Sequence, residues 1–383
     1  MNQPPGEILL RKFRILVAPL DWGLGHTTRC IPIIKELLSQ DYEVLAAGDR
    51  QQERLLTAEF PGLRFLPLKG YGIEYSKKNL ALKLISQIPK IIFRIRNERN
   101  WLRKAVVAEY IDAVISDNRF GLYHEKIPTV FITHQLQIKS TLGSASEKIL
   151  RSWNYHHIHR FTECWVPDAD GPDNLAGELS HPAVLPRIPV TYIGLLSRFQ
   201  TGGQFGESAK AQHGHLLFIL SGPEPQRTLL EDKIIDDVSH YPGTATIIRG
   251  LPSSLSTIPS TGMIKVFNHL PADELMQEME KAELVISRCG YSTVMDLMAL
   301  QKKAILIPTP GQTEQEYLAA HLHRQHIAFT IAQKDFSLPR ILEKVKGFNY
   351  KVQSSAGDHK LKGAIQNFLS KVEPWPIDFP RLH

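Results

Sequence analysis

Two doubly wound α/β domains facing each other across a cleft are what this sequence predicts, on three observations. Short apolar runs alternate with segments of helical periodicity along both halves of the chain, the pattern of βαβ units and a parallel sheet. Several of the runs are β-branched and lack polar alternation, as strands covered on both faces do. Between the halves lies "SRFQTGGQFGESAKAQHGH", whose Gly, Ser and Gln content marks a linker. With 383 residues there is material for two cores. The expected division is an acceptor-binding domain at 1–197, a linker at 198–214 and a donor-binding domain at 215–383.

In chain order, the strands of the first half are expected at "FRILVAP", "YEVLAAG", "LRFLPL", "DAVISD", "PTVFIT", "ECWVPD" and "VTYIG". Those of the second half are expected at "HLLFILS", "TATIIRG", "MIKVFN", "AELVISR", "KAILIP" and "IAFTIA". The final stretch, "EPWPIDFPRLH", is too rich in proline for a regular helix. Open sheets of this type bind ligands beyond the carboxyl ends of their strands. Residues just after strands are therefore the first candidates for chemistry.

Composition narrows the function. Three cysteines, Cys30, Cys164 and Cys289, lie far apart without a CxxC pair, which argues against a disulfide framework or a zinc site. Neither a signal-type apolar segment nor a spanning stretch is present, so a cytoplasmic location is expected. Net charge is a mild +6, but between Lys77 and Lys104 nine Lys or Arg face a single acid, Glu98. Apolar residues are interleaved with these charges. Such a stretch suits peripheral contact with an anionic membrane, or equally a core-facing helix with a solvated basic face. No nucleic-acid motif accompanies it, and nucleic acid is not an expected partner.

The loop "PLDWGLGHTTRC" leads from the first strand into a helix and admits three readings. Gly23-x-Gly25 with Asp49 after the next strand fits part of a dinucleotide fingerprint, but the third glycine is replaced by Thr28. The glycines could simply serve a turn. In the third reading Gly23 and Gly25 make room for a substrate, and His26 at the helix start acts as a base, kept neutral by the helix dipole. That role needs an acidic partner. Asp117, directly after "DAVIS", is positioned to supply it; otherwise it caps a helix or turn.

In the second half, "SRCGYSTVMDL" and "ILIPTPGQTEQEY" each run from a strand through a turn into a helix. Gly290 would serve the turn, while Ser292, Thr293 and the free amides of a helix start suit an anion. Asp296, Glu314 and Gln315 lie close by in sequence and suit hydroxyls. A ligand carrying both diphosphate and polyol, such as a nucleotide sugar, would use all of them. "DAD" at 168–170 has the look of a metal-binding DxD, but the "GPDN" that follows favours a turn.

The segments "GLGHTTR" and "SRCGYSTVMDLMALQKKAILIPTPGQTEQEY" resemble GT-B glycosyltransferases. The nearest group is family 28, which contains the UDP-GlcNAc transferase of lipid II synthesis. "FILSGPEPQR" at 218–227 is similar to the loop that opens the donor domain in that family, with fewer glycines than usual. The resemblance implies inverting, metal-independent transfer of a hexose or N-acetylhexosamine from a UDP-sugar to an acceptor hydroxyl, a lipid-linked acceptor being one alternative, with no cofactor beyond the co-substrate. It implies His26 as base with Asp117, and Ser221 and Gly222 at the diphosphate. It further implies His269 and Leu270 at the uracil, Arg288 to Thr293 facing the diphosphate, Asp296 on the ribose, and Glu314 and Gln315 on the transferred sugar. Each of these positions also has a purely structural reading as a cap, turn, core or surface residue. Two rival functions stay open: a hydrolysing UDP-GlcNAc 2-epimerase and a non-catalytic nucleotide-sugar-binding subunit.

Overall fold

The computed structural model describes residues 11–72, 87–199, 211–252, 254–351 and 358–372. Strands form at every run expected from the sequence, in two wholly parallel sheets. The first sheet contains β1 (Arg14–Pro19), β2 (Glu43–Gly48), β3 (Arg64–Pro67), β4 (Ala113–Asp117), β5 (Thr129–Ile132), β6 (Glu163–Val166) and β7 (Val190–Tyr192). Its spatial order is β3-β2-β1-β4-β5-β6-β7. Both faces are covered, so β1, β4, β5 and β6 are buried almost throughout without alternation. The order reverses between β1 and β4, and the crevice opens at their carboxyl ends. Register places Pro19 beside Asp117 there.

Among the described residues this sheet is flanked by α1 (Leu24–Ser39), α2 (Arg50–Glu59), α3 (Ile88–Glu109) and α4 (Ser144–Ile158). Helix α1 starts at Gly23, whose φ of 81° falls in the left-handed region that favours glycine. Asp49 is the N-cap of α2, accepting from the amides of Gln51 and Gln52 at 2.9 Å each in a reciprocal capping box. That is a structural task, and the dinucleotide reading loses its ribose acid. The side-chain amide of Gln52 donates to the Pro19 and Leu20 carbonyls, tying α2 to the base of the loop before His26.

The second sheet has the order β10-β9-β8-β11-β12-β13. Its strands are β8 (Gln212–Ile219), β9 (Thr244–Ile248), β10 (Ile264–Phe267), β11 (Ala282–Arg288), β12 (Ala304–Ile307) and β13 (Phe329–Thr330). Strand β8 begins inside the segment expected to be linker, and residues 200–210 of that segment lie outside the described residues. The helices are α5 (Gln226–Val238), α6 (Ala272–Lys281), α7 (Tyr291–Ala299), α8 (Thr313–Arg324), α9 (Leu338–Lys346) and α10 (Asp358–Leu369). The proline-rich 373–383 is outside the described residues, as are 77–86 of the basic stretch.

One element departs from the expected division. Helix α10 belongs by sequence to the second domain, yet it packs on α1, and Phe368 meets Trp165 of β6 edge-on at 5.8 Å. Leu361, Ile365 and Phe368 share one buried cluster with Ile31, Ile34 and Trp165. An amphipathic helix settles where its apolar face is covered, and here that surface lies on the first sheet's helices.

Candidate active site in the interdomain cleft

His26 is the third residue of α1, and its Nδ1 lies 3.1 Å from Asp117 Oδ2 at the end of β4. The sequence-predicted pair therefore meets. Between them sits a residue that the sequence reading passed over. Arg29, one turn further along α1, donates from Nε to Asp117 Oδ2 at 2.7 Å and from Nη2 to Asp117 Oδ1. Its Nη2 also lies 2.7 Å from His26 Nδ1. Asp117 is fully buried and Arg29 nearly so.

The electrostatics follow from this packing. Burial alone would raise the Asp117 carboxyl, but Arg29 and then His26 pull it down to about 2. His26 is held below the ordinary histidine value by burial and by Arg29, with Asp117 pulling the other way. The imidazole is therefore neutral at pH 7. To present a basic Nε2 to the cleft it must carry its proton on Nδ1, directed at Asp117, and Arg29 Nη2, which can only donate and lies 2.7 Å from the same nitrogen, must then turn its second N–H away from it.

His134, just after β5, was also missed. Its Nε2 is 2.8 Å from Glu314 Oε1, the second residue of α8 in the opposite domain. Its Nδ1 is 3.3 Å from Arg29 Nη1, and its ring stacks on Tyr291 with centroids 4.2 Å apart. Burial would raise the Glu314 carboxyl, but the hydrogen bond with His134 and the Arg29 guanidinium hold it below the usual range. The domains meet at further points around this contact. Ser292 donates to the Gly25 carbonyl at 2.9 Å, and Tyr291 to the Pro167 carbonyl at 2.8 Å. A Cβ on Gly25 would lie 3.0 Å from Ser292 Oγ, so the close approach of these two helix starts needs glycine at 25.

In the second domain, Arg288 ends β11 with 1% exposure. It donates from Nη2 to the Gln226 carbonyl at 2.6 Å, and Nη1 lies at the 3.5 Å limit from two more carbonyls. No carboxylate bonds it, and its Nε has no hydrogen-bond partner among the described residues. Burial lowers its pKa to about 10, which still leaves it charged at neutrality. Thr309 Oγ1 is likewise buried and unpartnered. Both groups border Gly222, whose φ is 99°; a Cβ there would stand 3.4 Å from Thr309 Oγ1 and 3.9 Å from Arg288 Nε. Glycine keeps the space in front of them clear. Ser221 lies exposed beside it.

Other expected residues have different tasks. Asp296 accepts from Ser197 Oγ at 2.8 Å and from Arg198 Nε at 3.2 Å. Both its oxygens anchor the segment leaving the first domain, where a ribose contact was expected. Leu270 is buried in the core rather than facing a base, whereas His269 beside it is exposed. Gln315 Oε1 accepts from the Thr309 amide at 2.9 Å and its Nε2 donates to Gln312, so it braces the loop before α8. Ser292 is engaged with Gly25; Gly290 is the N-cap of α7, and Thr293 is half-buried in its first turn. Asp168 of the "DAD" run organises a turn, accepting from the amides of Ala169, Leu175 and Ala176 and from Ser180 Oγ. No cluster of metal-ligating side chains occurs among the described residues.

Comparison with known proteins decides the fold. The calicheamicin glycosyltransferase superposes with a TM-score of 0.63 at 13% identity, over 95% of this chain and all of that one. The fold is GT-B. Residues 262–368 match the glycosyltransferase family 28 C-terminal domain, a region that includes Arg288, Glu314 and their surrounding loops. The undecaprenol N-acetylglucosamine transferase of Rhodopseudomonas palustris (strain BisB18) is 37% identical over 81 residues, or 21% of this chain and 20% of the relative. The chain thus aligns with only a fifth of that relative's length. An uncharacterized glycosyltransferase of Methanosarcina acetivorans aligns over 80% of this chain and 82% of its own, at 21% identity.

Proposed function

We propose that this protein is an inverting glycosyltransferase that moves a hexose or N-acetylhexosamine from UDP to an acceptor hydroxyl, with His26 as general base. The carrying observation is the buried Arg288 guanidinium, charged, and among the described residues without a carboxylate and with an unpartnered Nε beside the unpartnered Thr309 hydroxyl. A buried cation without a counter-ion is costly. The economical reading is that its partner arrives with the ligand, as a diphosphate set against the Gly222 loop. Across the cleft, neutral His26 takes the proton of the acceptor hydroxyl as that oxygen attacks the anomeric carbon from the face opposite the leaving nucleotide. Asp117 stabilises the imidazolium that forms. Arg288 and the start of α5 meet the charge developing on the departing diphosphate through an oxocarbenium-like transition state. Glu314 would hold the transferred sugar through the oxygen that His134 leaves free. The scheme calls for no metal.

A thermal-shift panel of UDP-, GDP- and dTDP-sugars tests this reading. UDP-sugars are expected to raise Tm most, and uridine alone far less. Equal shifts for all three nucleotides would remove the uracil preference, and no shift for any would remove the donor site.

The acceptor side supports a membrane-adjacent substrate. Among the described residues no helix is long and apolar enough to cross a membrane. Helix α3 nevertheless exposes Phe93 (60%) and Ile92 (38%) among its basic residues. Beside them a cavity of about 310 Å³ is lined by Ile92, Ile95, Arg96, Trp153, His157 and Arg160, among others. Arginines beside exposed aromatic and aliphatic side chains suit an anionic lipid surface. Flotation with vesicles containing phosphatidylglycerol is expected to carry the protein upward at low salt. Phe93→Asp should abolish this with Tm unchanged, since Phe93 is exposed; equal flotation of the variant would remove α3 from the contact.

A further inference from the structure

The five groups His26, Asp117, Arg29, His134 and Glu314 form an unbroken chain of contacts from the first domain to the second. The donors and acceptors along it are not interchangeable. Arg29 can only donate, so His134 Nδ1 must accept, and the ring proton lies on Nε2, directed at the Glu314 carboxylate. A neutral Nε2–H tautomer satisfies both neighbours. A protonated ring would set an N–H against the guanidinium. His134 is thus built to hold Glu314 onto the network without adding a charge of its own, and Tyr291 holds its plane by stacking.

Charge counting gives this a consequence. Within the first domain Arg29 and Asp117 cancel, so a proton taken by His26 would leave a buried net positive charge. Glu314 is contributed by the opposite domain. With it in place the network carries one negative charge before proton abstraction and none after.

We propose that His134 is a positioning residue that couples domain closure to the base, by holding Glu314 where its charge balances the proton His26 must take. The base then has its full proton affinity only when the donor-bearing domain is docked. The inference rests on the glycosyltransferase reading for its purpose, but its electrostatics can be tested without any turnover. The groups facing His26 are Arg29 on its own helix, Asp117 from β4, His134 after β5 and, from the other domain, Glu314 of α8. Tyr291 of α7 and the Cys30 thiol, 3.8 Å from Asp117, border the same network; both are held neutral by burial.

The test is an NMR titration of the full chain carrying 13C-labelled histidine, with the His26 signal assigned by its loss in His26→Gln. Glu314→Gln removes the charge and keeps the shape. His134→Phe keeps the stacking and removes both nitrogens. His134→Gln keeps one acceptor and one donor. The His26 midpoint is expected to fall by about half a pH unit or more in the first two variants, and to return towards wild type in His134→Gln. An unmoved midpoint in folded Glu314→Gln overturns the coupling; should His134→Phe not fold, Glu314→Gln and His134→Gln still decide it. A second readout separates the two claims. Shifted midpoints without turnover of any nucleotide sugar would uphold the coupling and sink the glycosyltransferase reading, whereas turnover with unmoved midpoints would do the reverse.

Discussion

Replacing His26 with Ala is expected to lower kcat by about 10²- to 10⁴-fold, the range for a general base, while UDP binding persists. The nucleotide's proposed contacts, Arg288, Thr309 and the Gly222 loop, lie on the other domain, so the loss should fall on kcat more than on the donor KM. The pH profile of the wild type follows from the same environment. Burial and Arg29 hold His26 below the ordinary histidine value, and only the neutral ring is a base. Activity should therefore rise with pH through a midpoint below 6.5 and be level at neutrality. Asp117→Asn should move this midpoint lower still, because the carboxylate is what favours the imidazolium. Initial rates with the best donor from the thermal-shift panel, measured between about pH 5 and 8, check both statements. An alanine variant with wild-type kcat would transfer the base role elsewhere.

Arg288→Met is expected to separate binding from stability. Methionine fills much of the same volume but brings no charge. Loss of the guanidinium should weaken UDP binding by about 10²- to 10³-fold, as removal of a charge-assisted contact to phosphate does, and leave the weak binding of uridine almost unchanged. The unliganded protein, in contrast, should melt at the same temperature or higher. A buried cation without a carboxylate costs stability, and apolar replacements of buried charges are often neutral or stabilising. Calorimetric titration with UDP and uridine, beside a melting curve, reads both effects. If UDP binds the variant as tightly as wild type, the donor diphosphate does not lie against Arg288.

The architecture was legible because both sheets are buried on two faces. Strands such as "AVIS", "TVFI" and "AILI" carry short β-branched or apolar runs without polar alternation, as strands of a sheet covered on both faces do. The His26–Asp117 pair was legible for a related reason: both follow strands that register side by side. Arg29 carried a usable signal, since it lies three residues after His26 on the same helix face. His134 lies two residues after "TVFI", at the end of a strand as Asp117 does. The interdomain contacts were not legible. Ser292 sits in the first turn of α7 and Asp296 in the second, positions that read as contacts for an anion or a hydroxyl, and only the facing domain shows that Ser197, Arg198 and Gly25 take them up. Leu270 likewise reads as a ligand contact or as core until its neighbours are known. Partners 98 to 267 residues away leave no local pattern.

The docking of α10 on α1 and Trp165 means that the polypeptide passes between the lobes twice, once after β7 and again before α10. Neither half is a self-contained unit. A gene divided within 200–210 would yield an amino-terminal fragment with a bare apolar strip where Ile365 and Phe368 belong, and a carboxyl-terminal fragment with a greasy helix left undocked. Any hinge swing must likewise turn about a pair of straps rather than one tether, which narrows the directions in which the cleft can open.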